Sequence, residues 1–274
     1  MIGKNYNKTY QGGQVLLITV MLLATAITIV MTIAFNTTTE TQIVKLEQES
    51  QKALSAAEAG LEVALQNSPG SSVALDNAAL GLTGITGQAD VLSATSSAFI
   101  SPFVQKDEQY TFYLANYQTT SPAGFVDPYF SGDISFYFGE KLCESGGTTL
   151  EITQVMKINN ALKRYLIDPC GYMNFNLASQ PLGVSAGPFL VENTTLYYKS
   201  TLPGGSVSAD TKLLIVRVLY NGTKIIIEGP HLNKLPLQGK TVVSTAKTET
   251  GVTKRIQLFQ SYPQIPTDFF VTGF

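Results

Sequence analysis

The run from Val15 to Phe35 contains no charged side chain. Coiled as an α-helix at 1.5 Å per residue, it is roughly 32 Å long, enough to cross the hydrocarbon core of a bilayer. From Asn36 to Gln66 there is no proline, and the first glycine is Gly60. One long helix is therefore predicted over residues 14–66, apolar in its first half and amphipathic in its second. In that second half Ile43, Leu46, Ala53, Leu54, Ala57, Leu61 and Leu65 recur at three- and four-residue steps, the period of a helix face. Glu40, Lys45, Glu47, Glu49, Gln51, Lys52, Glu58 and Glu62 occupy the other side. The stripe must lie on something, and the remainder of the chain is the candidate. Asn67-Ser68-Pro69-Gly70 ends the helix.

The flanks give an orientation. Lys4 and Lys8 precede the apolar run, and the first charge after it is Glu40. Basic residues stay on the cytoplasmic side, so the amino terminus is expected in the cytoplasm and the rest outside. The run is too long for an ordinary cleaved secretory signal, and Ala34-Phe35-Asn36-Thr37 makes a poor cleavage site. Thr25, Thr28 and Thr32 share one face. Their hydroxyls can bond back to carbonyls of the preceding turn, and a stripe of small residues lets a second helix come close.

Three motifs carry a family resemblance: Gly12-Gly13-Gln14 before the apolar run, Asn36-Thr37-Thr38-Thr39-Glu40-Thr41-Gln42 after it, and Ser55-Ala56-Ala57-Glu58-Ala59-Gly60-Leu61. Together they resemble type IV pilins and the pseudopilins of type II secretion, and most of all the minor pilins with a PilX-type amino terminus. The likeness covers roughly residues 8–66. It implies that residues 1–13 are a leader, cut by a prepilin peptidase between Gly13 and Gln14. It implies a helix that is held in the inner membrane and then packs against other pilins, assembled by pilus or type II secretion machinery. Major pilins carry glutamate at the fifth mature position. Here Ile18 stands there, as in the minor components thought to occupy a filament tip. Ala57, Glu58, Gly60 and Leu61 become assembly positions beside Ile18, Thr25, Thr28 and Thr32. No proline interrupts the helix, so a comparatively straight one is expected.

Residues 67–274 read as an extracytoplasmic, β-rich domain with a weaker boundary near residue 145, which makes the fold class α+β. Strands are expected at Tyr110–Asn116, Ile134–Phe138 and Phe189–Tyr198, the last interrupted by Glu192-Asn193. Hairpins are expected around Asn159-Asn160, around Asn221-Gly222 and around residues 248–251, in a meander-like antiparallel order. Tyr262-Pro263-Gln264-Ile265-Pro266 cannot continue a central strand. The chain has two cysteines, Cys143 and Cys170. Outside the cytoplasm a disulfide is the natural reading, worth about 3 kcal/mol in the chain-entropy model, and two buried thiols the alternative.

Charged residues make up 14% of the chain and the formal net charge is −2, with no Lys/Arg cluster, so no nucleic-acid surface is evident. The single histidine, His231, lies in a Gly-Pro-His-Leu turn and has no partner motif. No zinc, Walker or dinucleotide signature occurs. Asp127 and Asp133 lack the ligand spacing of a calcium loop. Neither a cofactor, a metal nor an enzymatic activity is expected. The alternative to a filament subunit is a signal-anchored surface adhesin or binding protein that never enters a filament.

Overall fold

The structure is a computed structural model, and it describes residues 12–76, 81, 83–118, 124–172, 180–208, 210–230 and 232–266. Residues 1–11 of the expected leader, and His231, lie outside the described residues.

Helix α1 runs unbroken from Gly12 to Leu65, 54 residues and thus roughly 81 Å long. It begins slightly before the expected start and stops just before Asn67-Ser68-Pro69. Among the described residues it is the one helix long and apolar enough to cross a membrane. Among the described residues the remaining elements are strands and one short 3₁₀ turn, so a long amino-terminal helix is followed by a β-rich, mainly antiparallel part.

Two compact units divide the chain. The first takes in α1 as far as Val63, Val73–Ala89 and Ser244–Ile256. The second takes in Ala64–Ser72, Asp90–Val243 and the chain from Gln257. Strands β1 (Ser72–Ala74), β2 (Ile85–Leu92), β15 (Gly239–Thr248) and β16 (Thr253–Ser261) form a four-stranded sheet in that order, and the division cuts through its strands.

Within the first unit, the buried face of the helix matches the expected stripe only in part. Ala53, Ala56, Ala57, Gly60 and Leu61 are buried, whereas Ile43, Leu46 and Leu54 are exposed. Small residues let backbones approach, and Gly60 shows how closely. A Cβ there would overlap Leu75 Cδ2 and come within 3.1 Å of Ser244 Oγ. Thr250 Oγ1 also donates to Glu49 Oε2 at 3.1 Å.

The second unit contains two five-stranded sheets. One has the order β10 (Gln180–Pro181), β9 (Leu162–Ile167), β8 (Thr149–Met156), β13 (Thr211–Leu219), β4 (Gln109–Tyr113). The other has the order β11 (Val184–Val191), β12 (Thr194–Leu202), β7 (Ile134–Phe138), β14 (Ile226–Glu228), β3 (Ala98–Ile100). All pairs are antiparallel except the short β9–β10 pair. Alternate residues of both sheets fill one core. Phe112, Leu150, Ile152, Leu214 and Val216 come from the first, and Ile134, Phe136, Phe138, Tyr198 and Ile227 from the second. This is a β-sandwich. A two-residue-per-face alternation explains it, since Ile134, Phe136 and Phe138 point inward while Ser135 stays half-buried on the other face. Strands on both sides of residue 145 share both sheets. A small pair, β5 (Ala115–Tyr117) and β6 (Phe125–Tyr129), stands beside them.

Three expectations need correction. The order is not a meander, because β13 pairs with β4 and β8, and β7 with β12 and β14. The Asn221-Gly222 segment is not a hairpin turn: β13 and β14 belong to different sheets. There the left-handed residue is Tyr220 (φ 69°), while Asn221 Nδ2 donates to Gly147 O at 3.1 Å and Thr148 Oγ1 donates to Asn221 O at 3.1 Å. These side-chain bonds hold the chain in a crossing from one sheet to the other. Conversely, Glu192-Asn193 is a turn rather than an interruption. Both residues are left-handed (φ 48° and 60°), and Val191 pairs with Thr194 across them. Asn159 and Asn160 (φ 54° and 49°) make the β8–β9 turn in the same way.

Candidate functional site

The residues expected to matter for assembly all lie on α1. Gly13 and Gln14 are in its first turn, and Ile18 follows on an exposed apolar surface, about half exposed itself. Thr25 Oγ1 donates to Leu22 O at 2.9 Å, Thr28 Oγ1 to Thr25 O at 2.8 Å, and Thr32 Oγ1 to Thr28 O at 2.8 Å. Thr19, Thr37, Thr38, Thr39 and Thr41 bond back in the same manner. Each hydroxyl is thus satisfied inside its own helix, and the face becomes compatible with an apolar medium. From Val15 to Leu46 the large apolar side chains of α1 are exposed.

Further along, Ala57, Gly60 and Leu61 are buried and Glu58 is exposed on the opposite side. The Ala-Ala-Glu-Ala-Gly-Leu run therefore splits into a small-residue contact face and a solvated carboxylate. The two halves of the expected assembly set do different things. The threonines lie on a bare apolar face, and the Ala57–Leu61 set lies in a packed one.

Cys143 and Cys170 are joined in a disulfide, with their Cα atoms 5.5 Å apart. It ties the 3₁₀ turn Cys143–Ser145 to the end of β9. Tyr198 Oη lies 3.0 Å from Cys143 Sγ, and Tyr172 Oη donates to Cys143 O at 3.2 Å. The Tyr172 and Tyr220 rings meet at 4.7 Å beside it.

Asp127 and Asp133 have separate protein partners. Asp127 faces Lys157 Nζ at 3.7 Å, and Asp133 Oδ1 accepts from Gly204 N at 2.5 Å. Among the described residues no group of three or more His, Cys, Asp or Glu side chains is arranged to hold a metal ion.

The sequence reading missed a tyrosine cluster in the second unit. Tyr113, Tyr117 and Tyr262 have ring centroids 5.0–5.3 Å apart, and Phe125 joins them at 6.0 Å. Burial, and then the neighbouring tyrosines, push the Tyr113 hydroxyl up to about 12. Burial raises Tyr262 too, helped by Tyr117. Tyr113, Tyr117 and Phe125 lie in one stretch of the chain and Tyr262 in a distant one, so the fold completes the cluster. Nearby, Lys240 Nζ donates to Leu65 O and Asn67 O, both at 3.0 Å. The last turn of α1 has no basic residue of its own. Lys240 supplies the cation that the carbonyl end of the helix favours.

No protein-family model matches the chain, and no curated protein matches it in sequence.

Proposed function

We propose that the chain is a minor pilin with a PilX-type amino terminus, or a pseudopilin: a structural subunit of a pilus or secretion filament that acts in assembly initiation or tip adhesion. The observation that carries this reading is the single unbroken helix from the Gly12-Gly13 pair to Leu65. Its first half is charge-free and exposed, and from Ala53 to Leu61 it is buried along an alanine-and-glycine face.

In this reading the helix first anchors the protein in the inner membrane, with the amino terminus in the cytoplasm. Prepilin peptidase removes residues 1–13, and the freed helix leaves the bilayer to pack among other pilins. The back-bonded threonines favour that transfer, because no hydroxyl needs a new partner in either setting. Ile18 in place of an acidic residue removes a buried carboxylate and with it an assembly contact. That suits a component present in few copies. The second part of α1 packs on strand segments of its own unit, at Leu75, Ser244 and Thr250. The work is assembly by helix packing rather than catalysis.

Mass spectrometry of membranes and sheared filaments tests it. The expected mature protein begins at Gln14, and Gly13→Glu blocks both processing and filament association. A retained Met1 in the mature protein, or unimpaired processing of Gly13→Glu, overturns it in favour of a signal-anchored surface protein.

A further inference from the structure

A groove of about 760 Å³ lies in the second unit beside the end of α1. That volume suits a small ligand. Its lining has an unusual composition. Five carboxamides line it, Gln66, Asn67, Asn116, Gln118 and Gln260, and none of these side chains has a hydrogen-bond partner among the described residues. Among the described residues that line it there is no carboxylate. Lys240 is the single cation, and its ammonium already serves the two carbonyls at the end of the helix. The groove therefore carries a single positive charge, held at the helix end and offset in part by the carbonyl dipole there.

Tyr117 and Tyr262 supply its aromatic surface. Tyr262 is nearly buried, whereas the Tyr117 ring is half-exposed. Tyr262, Tyr113 and Phe125 brace that ring at 5.0, 5.2 and 6.0 Å. A ligand stacking on it meets a ring that has little freedom left to lose.

We propose that this groove binds a short, uncharged oligosaccharide. A sugar ring presents C–H groups on one face, which suit the negative face of an aromatic ring, and hydroxyls around its rim. Carboxamides offer a donor and an acceptor each, so they match hydroxyls of either orientation. A helical peptide would need an apolar stripe, and the aliphatic lining here is Leu237 with two prolines. A basic ligand finds no carboxylate among the described lining residues, and an acidic one only an ammonium already bonded to two carbonyls. Binding needs only the second unit and is independent of leader cleavage or filament assembly.

The test uses the full chain in a zwitterionic detergent without a sugar headgroup, applied to a printed array of neutral and anionic oligosaccharides. Titration calorimetry of a retained neutral saccharide then compares wild type with Tyr117→Ala, Gln118→Ala and Gln260→Ala. A neutral saccharide is expected to bind. Tyr117→Ala should weaken it about tenfold or more. Each glutamine variant should weaken it roughly threefold to tenfold with unchanged unfolding temperature. Gln118 and Gln260 are exposed, so their variants decide the matter even if Tyr117→Ala fails to fold. The proposal is overturned if no saccharide binds, if only anionic ones bind, if all variants bind like wild type, or if displayed peptides occupy the groove and saccharides do not.

Discussion

The Gln238 side chain pairs with both backbone groups of Tyr113: Tyr113 N donates to Oε1 and Nε2 donates to Tyr113 O, each at 2.8 Å. A carboxamide thus stands where a neighbouring strand would be, at the outer edge of β4. Gln264 Oε1 does the same for Thr111 N at 2.7 Å. Together they close an edge that would otherwise invite pairing with another chain.

Gln238 is buried, so Gln238→Ala strands two backbone groups without partners. A loss of about 2–4 kcal/mol is expected, and Gln238→Glu should recover only the acceptor half. Denaturant titration followed by circular dichroism measures both, since the chain has no tryptophan.

At Gly60 a methyl group must displace Leu75. Gly60→Ala gains about 1 kcal/mol of helix propensity but loses about 1–3 kcal/mol to overpacking. Net destabilisation is expected, and Leu75→Ala in the same chain should reverse part of it. A double-mutant cycle that shows no coupling would mean that the two residues do not meet.

Breaking the Cys143–Cys170 bond opens a loop of 27 residues. Cys143→Ser with Cys170→Ser should cost about 3 kcal/mol, and dithiothreitol should reproduce the loss in the wild type only. Gly147→Ala is expected to mimic it, because a Cβ there would overlap Cys170 Sγ. Free-thiol titration checks this directly.

Stability should fall at high pH. Burial pushes the Tyr110 hydroxyl up to about 12 from its ordinary 10.0, and Tyr113 likewise. The fold holds the neutral phenol, so this stabilisation is complete below pH 10 and is lost as pH rises toward 12. The two tyrosines differ at neutral pH. Tyr113 Oη donates to Pro263 O at 2.5 Å, whereas Tyr110 Oη is buried without a partner among the described residues. Tyr110→Phe should therefore be neutral or stabilising by up to about 1 kcal/mol and should flatten the alkaline decline. Tyr113→Phe should destabilise. Urea midpoints between pH 8 and 12 separate these outcomes.

The long helix was legible because it is written locally: an apolar run, no proline, and a Pro-Gly stop. Ile134–Phe138 was legible for the same reason, as its alternation survives in the sandwich core. The packed face of α1 was legible in part: Ala53, Ala57 and Leu61 of the expected stripe are buried, but Ile43, Leu46 and Leu54 are not, and Ala56 and Gly60 complete the contact instead. Leu54 points outward while Ala56 is buried. Asn221-Gly222 misled in another way. The dipeptide permits a tight turn, but Thr148 and Gly147 bind Asn221, and the chain crosses between sheets instead. The tyrosine cluster and Lys240 gave no signal at all. The contacts that bring Tyr262 to the other tyrosines and Lys240 to the end of α1 span more than a hundred residues.

The inward-turned threonine hydroxyls make Thr25, Thr28 and Thr32 stand-ins for valine. What they offer a neighbour is a methyl group each, with the polar atom folded into the backbone. A partner pressed against this face finds no free hydroxyl proton, only acceptor oxygens, and is chosen chiefly by relief, by which ridge fits which hollow. Such a surface can rotate, slide and repack without breaking a single polar contact, so a change of surroundings costs the helix almost nothing in lost partners.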